Sequence, residues 1–319
     1  GRRCRHAGRG LLAAARDGMT WAVLFSGQGA QHPAMLPWLG GGPSIERMQA
    51  LLGIGDWRRA LEAPAWATRN RHAQVLLTGT ALAGWREVAA RLPAPAGVVG
   101  YSVGEVAAFA AAGVFTAEAA LDLAVVRADV MDRCAASSPG GLLAVSGLDE
   151  GEVLRLCHGT ALTVAIRVGA GSFVVGGPAD ALDTLARDAT AHGAHCTRLP
   201  VAVPSHTPAM QGAAEAFDAA LRLHALAPPT TTLIANATGD RVADAPRARA
   251  ALSRQLATTV QWSACVDALH ARRVRCVLEL GPGRALAAGW NRRHPDVPAR
   301  AADDFRSVDA LCDWVRARL

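Results

Sequence analysis

Apolar residues in this chain fall into short runs separated by glycine, proline and small polar residues. Ala22-Val23-Leu24-Phe25, directly after Met19-Thr20-Trp21, is a continuous apolar run of strand length, as expected of a strand covered on both faces. Ala96-Gly97-Val98-Val99 is a second such run, introduced by the loop Pro93-Ala94-Pro95. Residues 106–114 predict a helix of small residues ending near Gly113, and residues 117–131 a longer helix. Between Gln31 and about Ala90 the pattern is helical but poorly ordered, with breaks at Gly40-Gly41-Gly42-Pro43 and Ala63-Pro64.

After the loop Ser137-Ser138-Pro139-Gly140-Gly141 the pattern changes. Strands are expected over 142–147, 162–168, 172–176 and 196–203, with helices over 150–157 and 179–192. That order, βαββαβ, is the split arrangement of ferredoxin-like domains. It reads as a small domain, residues 138–203, inserted into a larger α/β domain made of residues 19–137 and 204–319. The larger domain then resumes with strands near Thr232-Leu233-Ile234-Ala235 and over 274–280.

Composition narrows the function. No charge-free apolar run approaches the length of a membrane span, so none is expected. The net charge of +6 looks basic, yet all 33 basic residues are arginine, and residues 1–18 alone carry Arg2, Arg3, Arg5, Arg9 and Arg16 against Asp17. Without that leader the chain is nearly balanced and has no basic block interleaved with aromatics, which argues against nucleic-acid binding. The leader imitates a transit peptide; it is read here as a mis-called start or cloning remnant and set aside. Seven scattered cysteines form no Cys-x-x-Cys pair and no cluster at zinc spacing, which suggests reduced thiols in a cytoplasmic protein and no metal site.

The candidate chemistry centres on Gly100-Tyr101-Ser102-Val103-Gly104-Glu105. A Gly-x-Ser-x-Gly between an apolar strand and a helix is the nucleophile-elbow pattern: the turn holds the serine hydroxyl clear of the surface, and the following helix N-terminus faces charge developing on a bound carbonyl. A serine needs a base. Of ten histidines, His206 has the best setting, in the proline-bracketed loop Val203-Pro204-Ser205-His206-Thr207-Pro208. No Asp or Glu stands out as a third member. A histidine merely packed in a loop is about as good a reading from these residues alone.

Six motifs in order then carry a resemblance: Ser26-Gly27-Gln28-Gly29-Ala30-Gln31, the elbow, Arg127, Pro204-Ser205-His206, Val260-Gln261-Trp262 and Leu280-Gly281-Pro282-Gly283. Over almost everything after Met19 the chain resembles malonyl-CoA:acyl-carrier-protein transacylases and the acyltransferase domains of polyketide synthases. The resemblance implies an α/β-hydrolase-like core with an inserted ferredoxin-like subdomain. It implies Ser102 as the acylated nucleophile and His206 as its base, with the backbone carbonyl of Gln261 orienting the histidine. The Gln28 and Val103 amides would form the oxyanion hole, Arg127 would pair with the malonyl carboxylate, and Tyr101 would line the acyl end of the pocket. Malonyl-CoA and an acyl carrier protein are the implied partners, with no metal or tightly bound cofactor.

Three positions depart from the family pattern. Tyr101 stands where most members have histidine, Ser26 replaces a usual proline, and Ala165-Ile166-Arg167-Val168-Gly169 replaces an Asn-rich loop. Together with Phe173-Val174-Val175-Gly176-Gly177, these resemble the transacylase subunit of bacterial malonate decarboxylase, whose other subunits would then be partners. The fatty-acid enzyme is the close alternative. A water-using serine hydrolase shares the elbow but has no use for Arg127, and a non-catalytic carrier-docking module would not need both Ser102 and His206.

Overall fold

The continuous apolar runs become the centre of a parallel sheet. The computed structural model describes residues 20–319; the arginine-rich leader, residues 1–18, lies outside them. Among the described residues there are eight strands: β1 (Trp21–Phe25), β2 (Gly97–Gly100), β3 (Gly141–Ser146), β4 (Thr163–Gly169), β5 (Ser172–Gly177), β6 (His195–Arg198), β7 (Cys276–Leu280) and β8 (Ala299–Ala301).

Strands β2, β1, β7 and β8 pair in that order, all parallel, with Leu24 opposite Val99 on one side and Glu279 on the other. Every β1 residue is buried, which is why the run lacks polar alternation. The chain leaves β1 to one side for β2 and returns on its other side as β7, so the sheet reverses direction at β1. In open α/β sheets the crevice at the carboxyl ends of the strands beside such a reversal is where ligands sit. Three loops emerge there: Ser26–Gln31 after β1, the elbow after β2, and Gly281-Pro282-Gly283 after β7.

Strands β4, β5, β3 and β6 form a second, wholly antiparallel sheet in that order. Alternate residues separate its faces. Leu143 and Val145 pack with Phe173, Val175, Leu182 and Leu185 under the helices Glu150–Cys157 and Ala179–Ala191. Leu142, Ala165, Ile166 and Val174 face the other way and share a cluster with Val99, Ile234, Val260 and Trp262 of the large body. A backbone link fastens the two: Val260 N–H donates to Ala165 O (2.9 Å) and Arg167 N–H to Val260 O (2.9 Å).

Some elements differ from expectation. The predicted strand at 232–235 makes only isolated bridges, Leu233 beside Val98 and Ile234 opposite Arg241, because the chain turns away at Asn236 after two sheet bonds. The last small-sheet strand stops at Arg198, since Leu199 and Val201 turn toward the large body and its core. The helix expected over 117–131 runs from Ala117 to Ser137, with the Thr116 hydroxyl accepting from Ala119 N–H at its start. No helix among the described residues is long and apolar enough to cross a membrane.

Candidate active site

Ser102 follows β2 at φ +53°, in the left-handed region, a strained state held by its surroundings. Both elbow glycines are required for space. A side chain on Gly100 would enter the backbone of Gly104 and Glu105, and one on Gly104 would enter the carbonyls of Phe25 and Ser26 at the end of β1. The elbow is thus pressed directly onto the neighbouring strand, and Tyr101 N–H continues the sheet by donating to Phe25 O (2.8 Å).

His206 arrives from the proline-bracketed loop, also in the left-handed region, at φ +64°. Its Nε2 lies 2.9 Å from Ser102 Oγ, and its Nδ1 lies 2.7 Å from the backbone carbonyl of Gln255. A carbonyl only accepts, so Nδ1 carries the proton and Nε2 presents its lone pair to the serine hydroxyl. Burial, and then the nearby Arg127 cation, push the imidazole down to about 4, so it is neutral and ready to accept a proton at neutral pH.

The orienting carbonyl belongs to Gln255, not to Gln261, which corrects the expectation. The Gln261 carbonyl accepts from Cys265 N–H (3.0 Å) as it opens the helix Trp262–His270. Gln255 closes the helix Ala245–Gln255, where the last carbonyls lack intrahelical donors and face outward. The negative end of that helix also favours the positive charge His206 acquires when it takes a proton.

Arg127, on the helix Ala117–Ser137, is 2% exposed and reaches the same pocket. Its Nη1 donates to Gln74 Oε1 (2.6 Å) and its Nη2 to Gln255 Oε1 (2.8 Å). Burial lowers its pKa to about 10, which leaves it charged. Tyr101 lies at the junction of two spaces with its ring edge-on to Trp262, centroids 5.0 Å apart. One space is a pocket of about 40 Å³ lined by Ser102, Arg127, Gln74, Met131, Leu142 and His206. The other is a cleft of about 550 Å³ running past Trp262 and Pro282 to Arg292 and Arg293. Gln28 lines both. The Gln28 and Val103 amides enter no hydrogen bond among the described residues, and Val103 stands at the N-terminus of the helix Gly104–Ala111. No group of three or more His, Cys, Asp or Glu among the described residues could hold a metal ion.

With this geometry in view, the comparisons with known proteins are specific. Residues 61–303 match the acyl transferase domain family. The chain belongs to that family. It is 35% identical to the malonyl CoA-acyl carrier protein transacylase of Mycobacterium tuberculosis over 92% of this chain and 99% of that protein. It is similar to the crystal structure of malonyl-CoA:acyl carrier protein transacylase from Xanthomonas oryzae pv. oryzae, with a TM-score of 0.85, 29% identity, and coverage of 93% of this chain and 98% of that one. A malonyl-transacylase solved in complex with its type II PKS acyl-carrier protein is also similar, with a TM-score of 0.84, 27% identity, and coverage of 92% and 99%.

Within the acyl transferase fold, four residues not singled out from the sequence complete the site. Asn236, fully buried, accepts from Ser102 N–H (3.1 Å) through Oδ1 and donates to Gly100 O (2.6 Å) through Nδ2, clasping the elbow. Its own backbone N–H donates to Glu105 Oε1 (2.6 Å). Burial pushes that carboxyl up to about 8 against the pull of the Asn236 amide and the Arg127 cation, so Glu105 is largely protonated at neutral pH. Gln255 adds a side-chain bond from Nε2 to Ser102 O (2.7 Å), and Gln74 holds Arg127. The one signal that could have found Gln255 is its place at a helix end; nothing local distinguishes Asn236 or Gln74.

Proposed function

We propose that this chain carries a malonyl group from malonyl-CoA to the phosphopantetheine-type thiol of an acyl carrier protein. The observation that carries the reading is the Ser102–His206 contact beside a buried, charged Arg127 in a pocket of about 40 Å³, room for roughly three water-sized groups. A short acyl chain ending in a carboxylate fits both the volume and the charge. The adjoining cleft suits a pantetheine arm, with Arg292 at the far end for phosphate.

In this scheme Ser102 Oγ attacks the thioester carbonyl carbon while His206 Nε2 takes the hydroxyl proton. The carbonyl oxygen becomes an oxyanion facing the Gln28 and Val103 amides; losing one such donor typically costs about 3 kcal/mol of transition-state stabilisation. The tetrahedral carbon then expels the CoA sulfur, which receives the proton from His206, leaving malonyl-serine. The carrier thiol enters in turn: it gives its proton to His206, its sulfur attacks the ester carbon, and Ser102 leaves with that proton restored.

The architecture is read as an α/β-hydrolase-like core, residues 19–137 and 204–319, with a ferredoxin-like subdomain, residues 138–203, between them. The strand order β4-β5-β3-β6 and its uniform antiparallel pairing support the second part. Named relatives favour the fatty-acid or polyketide transacylase over the malonate decarboxylase subunit. The decarboxylase reading keeps Tyr101, Ser26, the segment 165–169 and the strand Phe173–Gly177 in its favour. The reaction is assigned to the cytoplasm, a reading that the free, scattered cysteines among the described residues support.

Intact-mass measurement after mixing with malonyl-CoA tests the proposal. A malonyl adduct that a holo carrier protein discharges is expected. Release of free malonate without a carrier would make the chain a hydrolase, and no adduct would remove the catalytic reading.

A further inference from the structure

Arg127 is unusual among the arginines of this chain. Arg71, Arg167 and Arg293 each rest on a carboxylate near the surface, whereas buried Arg127 rests on two amide oxygens, Gln74 Oε1 and Gln255 Oε1. A buried cation without a counter-ion costs stability, so the arrangement calls for an explanation.

Neither amide can turn round. Gln74 Nε2 donates to Asn70 Oδ1 (2.7 Å) and contacts Met131 Sδ (3.5 Å). Gln255 Nε2 donates to Ser102 O (2.7 Å) and Asn236 Oδ1 (3.2 Å). Those partners only accept in these contacts, so both amide oxygens must face Arg127. The titratable groups that face the guanidinium from neighbouring elements are Glu105 and His206. Burial favours the neutral form of each, the first keeping its proton and the second releasing it.

We propose that Gln74 and Gln255 are specificity-determining residues: two orientation-locked neutral amides that aim the Arg127 guanidinium without neutralising it, reserving its charge for a carboxylate-bearing acyl group. This rests on the malonyl-transfer reading. The clamp gives geometry to the cation while withholding the one thing a carboxylate would supply, charge balance. An incoming acyl carboxylate then supplies it, whereas an acetyl group leaves the cation stranded. Glu in place of Gln74 would keep the length and the acceptor oxygen yet fill the electrostatic vacancy in advance. Like charges then meet when a malonyl carboxylate enters.

The test is single-turnover acylation of the full chain with malonyl-CoA and acetyl-CoA, for wild type, Gln74→Glu, Gln74→Met and Arg127→Ala, with thermal melts for each. Gln74→Glu is expected to lower the malonyl-to-acetyl ratio of kcat/KM by about 100-fold. Gln74→Met, which removes an aiming acceptor but adds no charge, is expected to raise the malonyl-CoA KM by about tenfold while the preference for malonyl persists. The clamp is overturned if Gln74→Glu folds and keeps the wild-type ratio. It is equally overturned if Gln74→Glu fails to fold and Gln74→Met keeps the wild-type KM. The reading beneath it fails separately, if wild type itself takes up acetyl and malonyl groups equally well.

Discussion

Ser102 Oγ and His206 Nε2 meet at 2.9 Å across two left-handed backbone positions, φ +53° and +64°. Neither residue would hold that conformation in a free chain. Each is fixed by bonds to the same two residues or their neighbours: Asn236 and Gln255 hold the backbone of Ser102, while Gln255 O and Leu256 O hold the ring and backbone N–H of His206. Residue 255 therefore touches Ser102, His206 and Arg127 at once, which in the proposed reaction would couple acyl specificity to the geometry of the chemical step.

The dyad assignment predicts that Ser102→Ala forms no acyl-enzyme while retaining its fold, since the exchange removes one hydroxyl. His206→Ala should slow acylation by about 10²–10⁴-fold or more. Intact mass with malonyl-CoA reads both outcomes, and normal loading by either variant would end the assignment.

Asn236 gives a separate prediction. Asn236→Ala strips a buried acceptor from Ser102 N–H and a buried donor from Gly100 O, and unsatisfied buried groups cost about 1–3 kcal/mol each. A loss near 3 kcal/mol in urea unfolding is expected, with kcat reduced more than KM rises, because the elbow loosens around the nucleophile. A stability equal to wild type would show that Asn236 does not clasp the elbow.

How much of this was legible in the sequence follows from chain distance. The elbow could be read because its glycines, serine and flanking strand are contiguous and the steric demand at Gly100 and Gly104 is local. The βαββαβ succession could be read because each element announces itself within its own few residues. The groups that arrange the site could not: Gln74, Asn236 and Gln255 lie 53 residues from Arg127, 134 from Ser102 and 128 from Arg127 respectively, and each is an ordinary amide in its own segment. The family resemblance implies the Gln261 carbonyl as the orienting group, whereas His206 Nδ1 meets that of Gln255. The physical criterion, a carbonyl left free at a helix end, selects Gln255 instead.

Glu105 predicts an alkaline weakness. Its carboxyl is held up at about 8 in the folded protein, while an exposed glutamate releases its proton near 4.5. Between those values the folded state binds more protons than the unfolded one, so stability falls as pH rises through this window, by about 1.4 kcal/mol per unit. Glu279, held up at about 7 by burial, adds to the same trend over a narrower range. His206, held down at about 4, acts oppositely: the unfolded chain takes up the proton first, and stability falls as pH drops from about 6.5 toward 4. Glu105→Gln should flatten the alkaline side alone. Melting temperatures from pH 5 to 8.5 check this, and identical slopes for variant and wild type would refute it.

Arg127→Ala brings specificity and base strength together. Removing the guanidinium should reduce malonyl transfer steeply, because a charge-assisted bidentate pair in a desolvated pocket is lost. Acetyl, which has no carboxylate, should lose little. Lysine should rescue only partly, since it offers a point charge in place of a planar fork. The same cation also depresses His206, so its removal should raise the histidine pKa and move the acid limb of the acetyl-CoA kcat/KM profile to higher pH. A cation that merely packed the helix would affect both substrates equally and leave that limb in place. Profiles for wild type, Arg127→Ala and Arg127→Lys with both thioesters decide the matter. An equal loss for malonyl and acetyl, with no shift of the limb, would remove Arg127 from the acyl site.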